Sequence, residues 1–441
     1  MSRNRKLVNQ SLELTVNQIS VEGRGISSLE GKKVFVFGAL ENEKVQAKVI
    51  RQHSRYLETK LESVLEASEK RVEPICPHFG ECGGCQMQHL STEHQIEHKQ
   101  KQLSKLLAHA EIVPSEWHET LTGSSTGYRY KARLGVRYVE KKGVVLVGFR
   151  EAHSNKIVEM NSCAILHPTV GNLIDPLRQL ISELAAFKDI PQIEVAAGDK
   201  EVALIFRILQ PLIQADTDKL IAFAGEHHLS LYLQERGPES VKKIWPNQEE
   251  TLSYRLMDGA ITMHFKPLDF TQINPVINNQ MVRQALDWLQ VSEHDTVLDL
   301  FCGLGNFSLP LAQKAKAVVG VEGDAQMTAK ASMNAASNQI SNACFYEANL
   351  FEDCSKAPWF TIAHNKVLLD PPRLGAAAVV ENIEKLAPES ILYVSCDMNT
   401  FVRDAAVLVH QKKYKLEKVA IMDMFPHTKH IETMGLFVLE K

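Results

Sequence analysis

The 441-residue chain has no apolar run long enough to cross a bilayer, so a membrane protein is not expected. Its start, Met1-Ser-Arg-Asn-Arg-Lys6, is basic, but no apolar stretch of the kind a secretory signal needs follows it. A cytoplasmic protein is the expectation. Eight cysteines are too few, in a chain this long, for a disulfide scaffold. Overall positive charge is missing as well: the net charge is −4, which by itself does not announce a nucleic-acid binder. The chain's tight Gly-x-Gly loop also lacks the third glycine of a dinucleotide turn. Gly303 and Gly305 are followed by Ser308 where G-x-G-x-x-G requires glycine, so no pyrophosphate seat is indicated and a dinucleotide oxidoreductase is a distant reading.

What is present is a globular composition, 44% hydrophobic and 23% charged, with length for two or three domains. Divisions fall at 1–67, 68–265 and 266–441. The charge is uneven: residues 1–60 hold 11 Lys and Arg against 6 Asp and Glu, a local +5 that leaves −9 for the rest. In this first part, Leu12–Val16, Lys33–Phe37 and Val45–Ile50 alternate apolar and polar residues between glycine turns. Short strands of this kind predict an OB-like barrel, a common oligonucleotide binder. Arg24, Lys32, Lys33, Lys44, Lys48 and Arg51 form a candidate phosphate-facing patch, with a solvated surface as the plain alternative.

The middle part opens on Cys76-Pro-His-Phe-Gly-Glu-Cys82-Gly-Gly-Cys85, with Cys163 much further on. Three thiols in ten residues need a tight loop, which Gly80, Gly83 and Gly84 allow. Sulfur ligands suit zinc or an iron–sulfur cluster, and three-plus-one spacing leans toward the cluster. An exposed amphipathic helix is expected over 94–110. Gly127-Tyr-Arg-Tyr-Lys-Ala-Arg133 interleaves aromatics with cations, which suits splayed bases or, equally, a strand with one wet face. A helix over 168–188 and a mixed α+β arrangement to residue 264 follow.

The last part carries the chemistry. From Val297 a short apolar run ends in Asp299, and the Gly303–Gly305 loop and a helical segment, 307–316, follow. Four more apolar runs end in Glu322, Asn349, Asp370 and Cys396. In an open α/β sheet, ligands bind beyond the carboxyl ends of the strands, where all of these residues are expected. An acid about 20 residues past a glycine loop, here Glu322, commonly takes ribose hydroxyls.

The order Phe301-Cys-Gly-Leu-Gly-Asn-Phe307, Gly320-Val-Glu-Gly-Asp324, Leu368-Leu-Asp-Pro-Pro-Arg373, Tyr393-Val-Ser-Cys396 and Phe425-Pro-His-Thr-Lys-His-Ile-Glu-Thr433 resembles the bacterial RNA (uracil-C5)-methyltransferases that use S-adenosylmethionine. The resemblance covers nearly the whole chain, and Glu22-Gly-Arg-Gly-Ile26 resembles the start of a TRAM domain, an RNA-binding module. It implies an N-terminal TRAM barrel, a central domain with an iron–sulfur cluster and a C-terminal Rossmann-like methyltransferase domain. It also implies that Gln272, Phe301, Asn306, Glu322, Asn349 and Asp370 contact S-adenosylmethionine. Cys76, Cys82, Cys85 and Cys163 match [4Fe-4S] ligands. Cys396 matches the nucleophile and Glu432 the base that removes the C5 proton. The barrel and the cluster cysteines together point to the branch acting on 23S rRNA, with no obligate protein partner; another RNA, or a catalytically decayed RNA-binding module, is the alternative. One departure stands out. The family has Ser-Cys-Asn-Pro around the nucleophile, whereas this chain has Ser395-Cys396-Asp397-Met398. A carboxylate facing the thiol would raise its pKa.

Overall fold

The computed structural model describes residues 7–247 and 252–440; the basic start, Met1 to Lys6, lies outside them. Two compact units are formed. Of the described residues, one comprises 7–102, 148–160 and 425–429, and the other 103–147, 161–247, 252–424 and 430–440. No helix among the described residues is long and apolar enough to cross a membrane.

The first unit begins with six strands: β1 (Ser11–Thr15), β2 (Gln18–Ile19), β3 (Gly25–Leu29), β4 (Lys32–Phe37), β5 (Lys44–Gln52) and β6 (Tyr56–Glu66). They pair in the order β1-β5-β6-β4-β3-β2. The alternation legible in the sequence places Leu14, Val34, Val36, Val45, Ala47 and Leu57 in one apolar cluster. Gly25 is required by close approach: a Cβ there would lie 2.9 Å from Val16 and 3.0 Å from the Ala39 carbonyl. Beyond the strands, the buried Glu43 carboxylate accepts from the amides of Leu40 and Ser68 and from Arg71. The cysteine loop follows, then helix α1 (Thr92–His109). This helix is less exposed than its polar sequence suggests, because Gln95 and Lys99 are buried along with Leu103 and Leu107. The Gln95 carboxamide donates to the carbonyls of Met87 and Leu90 and accepts from the His427 amide, so its burial leaves those bonds made.

The second unit holds two larger sheets. Strand β7 (Glu116–Trp117) is followed by β8 (Lys131–Val139) and β9 (Val144–Gly148), joined by the turn at Lys141-Lys142-Gly143. Instead of one helix over 168–188, the chain makes α2 (Pro168–Gly171) and α3 (Ile174–Ser182), broken at Asn172 and Leu173. Strands β10 (Gln192–Ala197) and β11 (Val202–Arg207), helix α4 (Gln214–Glu226) and strands β12 (Ser230–Gln234) and β13 (Lys242–Trp245) complete a sheet of order β13-β12-β11-β10-β8-β9. A hairpin, β14 (Leu252–Leu256) and β15 (Ile261–Phe265), leads to α5 (Pro275–Leu289), capped by Asn274.

The remaining elements are β16 (Thr296–Leu300), α6 (Ser308–Ala312), β17 (Ala317–Glu322), α7 (Ala325–Ser337), β18 (Ala343–Glu347), β19 (Lys366–Leu369), α8 (Ala377–Asn382), β20 (Ser390–Ser395), α9 (Met398–Gln411), β21 (Tyr414–Met422) and β22 (Glu432–Leu439). The sheet order is β18-β17-β16-β19-β20-β22-β21-β7. Strands β18 to β20 run parallel, and β22 is inserted antiparallel between β20 and β21. Chain order reverses between β16 and β19, and that switch point opens a crevice at the carboxyl ends of the strands.

Candidate active site

Of the five residues read as strand ends, Glu322 ends β17, and Asn349, Asp370 and Cys396 follow β18, β19 and β20, whereas Asp299 lies inside β16 and is fully buried, because Leu300 continues the strand. Phe301 follows β16 in a left-handed backbone conformation (φ 65°), and Gly303 and Gly305 follow with φ of 54° and 89°. The predicted helix after this loop is a single short turn, α6. Glu322 closes the loop from β17: its carboxylate accepts from the amides of Gly303 at 3.0 Å, Gly323 at 2.7 Å and Asp324 at 3.2 Å. Asn306 is clamped by a reciprocal pair of amide bonds with Asn278 of α5, at 2.8 and 3.0 Å, and by the Tyr254 hydroxyl at 3.0 Å. The cofactor-type loop is therefore held from α5 and β14 as well as from its own sheet. Gln272 lies half-buried just before α5, beside the strongly exposed Phe270. Asn349 is exposed beyond β18, where its side chain closes a turn with the Phe351 amide and Glu352.

Cys396, Asp370 and Glu432 are brought together. Strands β20 and β22 pair Ser395 with Thr433, so the next residues in register are Cys396 and Glu432. Asp370 ends β19, next to β20, and its amide bonds the Leu300 carbonyl. Glu432 is buried and Asp370 and Cys396 are half-buried, which raises the pKa of all three. Burial pushes Glu432 up to about 7, against the pull of Arg373. Burial, and then the Glu432 charge, push Asp370 up to about 8. Burial, followed by the charges of Glu432 and Asp370, pushes the Cys396 thiol up to about 11, again against Arg373. Two carboxylates and a thiolate at one dry site cannot all ionise without a compensating cation.

Asp397 does not face the thiol. Its carboxylate caps α9, accepting from the amides of Asn399 at 2.9 Å and Thr400 at 3.2 Å. Aspartate and asparagine are about equally good at that position, so the expected penalty on Cys396 is absent. Cys302, the rival thiol, is buried inside the loop, and burial raises its pKa well above the usual thiol range. The aromatic–cation stretch at 127–133 also proves structural in large part. Tyr128 is buried, Tyr130 packs edge-on to His167, and the Lys131 ammonium is bonded to the Pro267 carbonyl.

The sequence reading missed Arg373 and His430, which meet at 3.3 Å beside the thiol and the two acids. Each stands within three residues of a predicted site residue, and that adjacency was the available signal. It also missed what holds the loop carrying Arg373. The Ala376 amide donates to Asp404 at 2.8 Å and to the Tyr393 hydroxyl at 3.1 Å, and Arg403 donates to the Leu374 carbonyl at 2.9 Å. Asp299 is fully buried against the Ser308 hydroxyl, and burial pushes it up to about 7. Cys76, Cys82 and Cys85 are half-buried, outside any disulfide, in one loop of the first unit, where the Gly84 amide points at the Cys82 sulfur at 3.4 Å. Cys163, in the second unit, is buried and also outside any disulfide. Among the described residues, no three or more His, Cys, Asp or Glu side chains are grouped as a ready metal site.

Comparison with known proteins places this arrangement. Residues 91–441 match the family model described as tRNA (Uracil-5-)-methyltransferase, and residues 5–61 match the TRAM domain. The chain is similar to a 23S rRNA (uracil(1939)-C(5))-methyltransferase RlmD of Hahella chejuensis, with 46% identity over 99% of both chains. It is 44% identical to the protein of the same name from Nitrosococcus oceani, over 99% of this chain and 98% of that one. Among solved structures, the Pyrococcus abyssi tRNA (uracil-54, C5)-methyltransferase in complex with S-adenosyl-L-homocysteine superposes with a TM-score of 0.73. That likeness is one of fold, at 21% identity, and covers 97% of this chain and 100% of the other.

The electrostatics predict a specific reactivity order. Replacing Glu432 by Gln removes a charge that holds the Cys396 thiol up, so its thiolate forms at lower pH. Asp397→Asn leaves that pH unmoved. The rate of Cys396 alkylation by iodoacetamide against pH, resolved by peptide mass spectrometry, checks both. A shift caused by Asp397→Asn as large as that caused by Glu432→Gln would contradict the geometry.

Proposed function

Because the chain belongs to the tRNA (uracil-5-)-methyltransferase family, we propose that it methylates C5 of a uridine in 23S rRNA, at the 1939 position named for its relatives, using S-adenosylmethionine. The observation that carries the reading is the Cys396–Glu432 pair, adjacent in register across β20 and β22, with Asp370 beside it. When bound, S-adenosylmethionine supplies an electrophilic methyl group on its sulfonium. Gln272, Phe301, Asn306, Glu322, Asn349 and Asp370 are the residues we assign to hold it. The Glu322 carboxylate has acceptor capacity left beyond its three amide bonds, as ribose hydroxyls require.

Uracil C5 is a weak nucleophile. Addition of the Cys396 sulfur to C6 breaks the C5–C6 double bond and makes C5 enolate-like, so that it takes the methyl group. Glu432 then removes the C5 proton. The electron pair re-forms the double bond and the carbon–sulfur bond breaks, returning the thiolate. A thiol raised to about 11 ionises little at neutral pH, so Cys396 is activated on substrate binding, and the Arg373 charge favours its thiolate. The target base has to leave any stack to reach both groups. Work in the cytoplasm fits this substrate.

We also assign Cys76, Cys82, Cys85 and Cys163 to a [4Fe-4S] cluster. The support is the family resemblance, the absence of a disulfide at any of the four cysteines and the amide–sulfur contact at Cys82. The transfer itself balances without an electron acceptor, so the cluster has no redox step to perform.

With Glu432→Gln, turnover falls at least about 100-fold and a methylated, covalent protein–RNA complex accumulates on denaturing gels. With Cys396→Ala no complex forms. In the parent enzyme the rate falls as the pH drops below about 7, because Glu432 acts only when ionised and its raised pKa puts that loss near neutrality. Absence of any adduct from Glu432→Gln would contradict the assignment.

For the cluster, Cys82→Ala is expected to lose iron, acid-labile sulfide and the brown absorbance together. An unchanged spectrum would remove the cluster from the account.

A further inference from the structure

The N-terminal sheet carries an arrangement that methyl transfer does not use. In β4, Val34 and Val36 enter the core, while Lys33, Phe35 and Phe37 point to the other face. Strand β6 runs parallel beside it, with Tyr56 opposite Lys33, Glu58 opposite Phe35 and Lys60 opposite Phe37. The outer face of a small barrel is ordinarily polar. Here it presents three half-buried aromatic rings among cations.

The rings form a corner. Phe35 and Tyr56 stand 5.6 Å apart at 83°. His53 stacks on Tyr56 at 4.1 Å and 18°, which fixes the tyrosine. The Arg24 guanidinium lies 4.5 Å from the Phe37 ring centre and 5.9 Å from that of Phe35. A hollow of about 500 Å³ opens at this corner, lined by Arg24, Lys33, Phe35, Arg55, Tyr56 and Glu58. Glu58 brings the only carboxylate to the lining. Its contacts to Arg51 and His53 are both 3.8 Å, too long for hydrogen bonds, so its oxygens keep acceptor capacity.

We propose that this hollow seats one unpaired guanine nucleotide of the RNA, stacked at the Phe35–Tyr56 corner, read by Glu58 and held at its phosphates by Arg24, Lys33 and Arg55. The proposal rests on the RNA-substrate reading above. Stacking on an aromatic ring takes any base, and cations beside it take the backbone. The carboxylate is what selects. Guanine presents two adjacent N–H groups, N1 and N2, to two carboxylate oxygens. Adenine and cytosine offer one amino group next to an acceptor, and uracil offers one N–H between two carbonyls; each sets an acceptor against the carboxylate. The chain would thus grip its RNA at a second nucleotide besides the methylated uridine.

The test uses the full-length protein and labelled oligouridine heptamers carrying one central guanine, inosine, adenine or cytosine, with affinity read by fluorescence anisotropy at one fixed salt concentration. Guanine is expected to bind about tenfold tighter than adenine, cytosine or uridine. Inosine, which lacks the N2 amino group, falls between. Phe35→Leu and Tyr56→Leu weaken the guanine oligomer about tenfold. Glu58→Gln removes the guanine preference. Equal affinity for all bases in the parent, or unchanged affinity in Phe35→Leu and Tyr56→Leu with native circular dichroism, would overturn the seat. Methyl transfer to 23S rRNA, measured on the same preparations, keeps the two readings apart. A failed seat leaves parental transfer in place, whereas failure of the function reading shows as no transfer by the parent.

Discussion

One constraint shapes the active unit: two carboxyl groups and a thiol meet at one half-buried spot, where Arg373 is a positive charge that favours the ionised forms of Glu432 and Cys396. Burial raises the pKa of all three, Glu432 raises that of the other two, and Asp370 raises that of Cys396. Such a site is poorly stabilised by itself. Its value lies in what enters it, because a cationic ligand among these groups favours their ionised forms, and a desolvated base is stronger than one in water. A sulfonium cofactor and an electron-poor pyrimidine ring suit that field.

The rest of the unit holds this arrangement in place. The parallel strands deliver the end of β19 beside the end of β20, and antiparallel β22 returns its first residue alongside Cys396. The Tyr393–Asp404 hydrogen bond at 2.6 Å, together with the Ala376 amide, ties the Asp370–Arg373 loop to β20 and α9. The Asn306–Asn278 pair and Tyr254 perform the same service for the glycine loop. Both loops are irregular backbone supported by buried polar networks, and rigid support of that kind keeps reacting atoms aligned.

The strand ends were legible because each apolar run stops at a polar or reactive residue, and parallel strands align those stops. The pairing of Cys396 with Glu432 was not legible from local pattern: 36 residues separate them, and only the antiparallel register of β22 sets them side by side. Asp397 shows the same limit in the other direction. Next to a thiol in sequence, it looks like an electrostatic burden, but the helix that starts at Met398 turns it into a cap. Tyr128 and Lys131 mimic a nucleic-acid motif until packing buries the ring and bonds the half-buried ammonium to the Pro267 carbonyl. The outward pair Phe35 and Phe37 escaped notice because alternation in β4 reads as a plain half-buried strand, whichever side the rings take.

The central claim is that Cys396 activates a uridine so that its C5 hydrogen is exchanged for a methyl group. Release of tritium from 23S rRNA labelled at uridine C5, in the presence of S-adenosylmethionine, reads that step directly. The parent protein is expected to release tritium in proportion to methyl incorporated, and Cys396→Ala to release none. Equal release from Cys396→Ala, or none from the intact protein on unmodified 23S rRNA, would contradict the account.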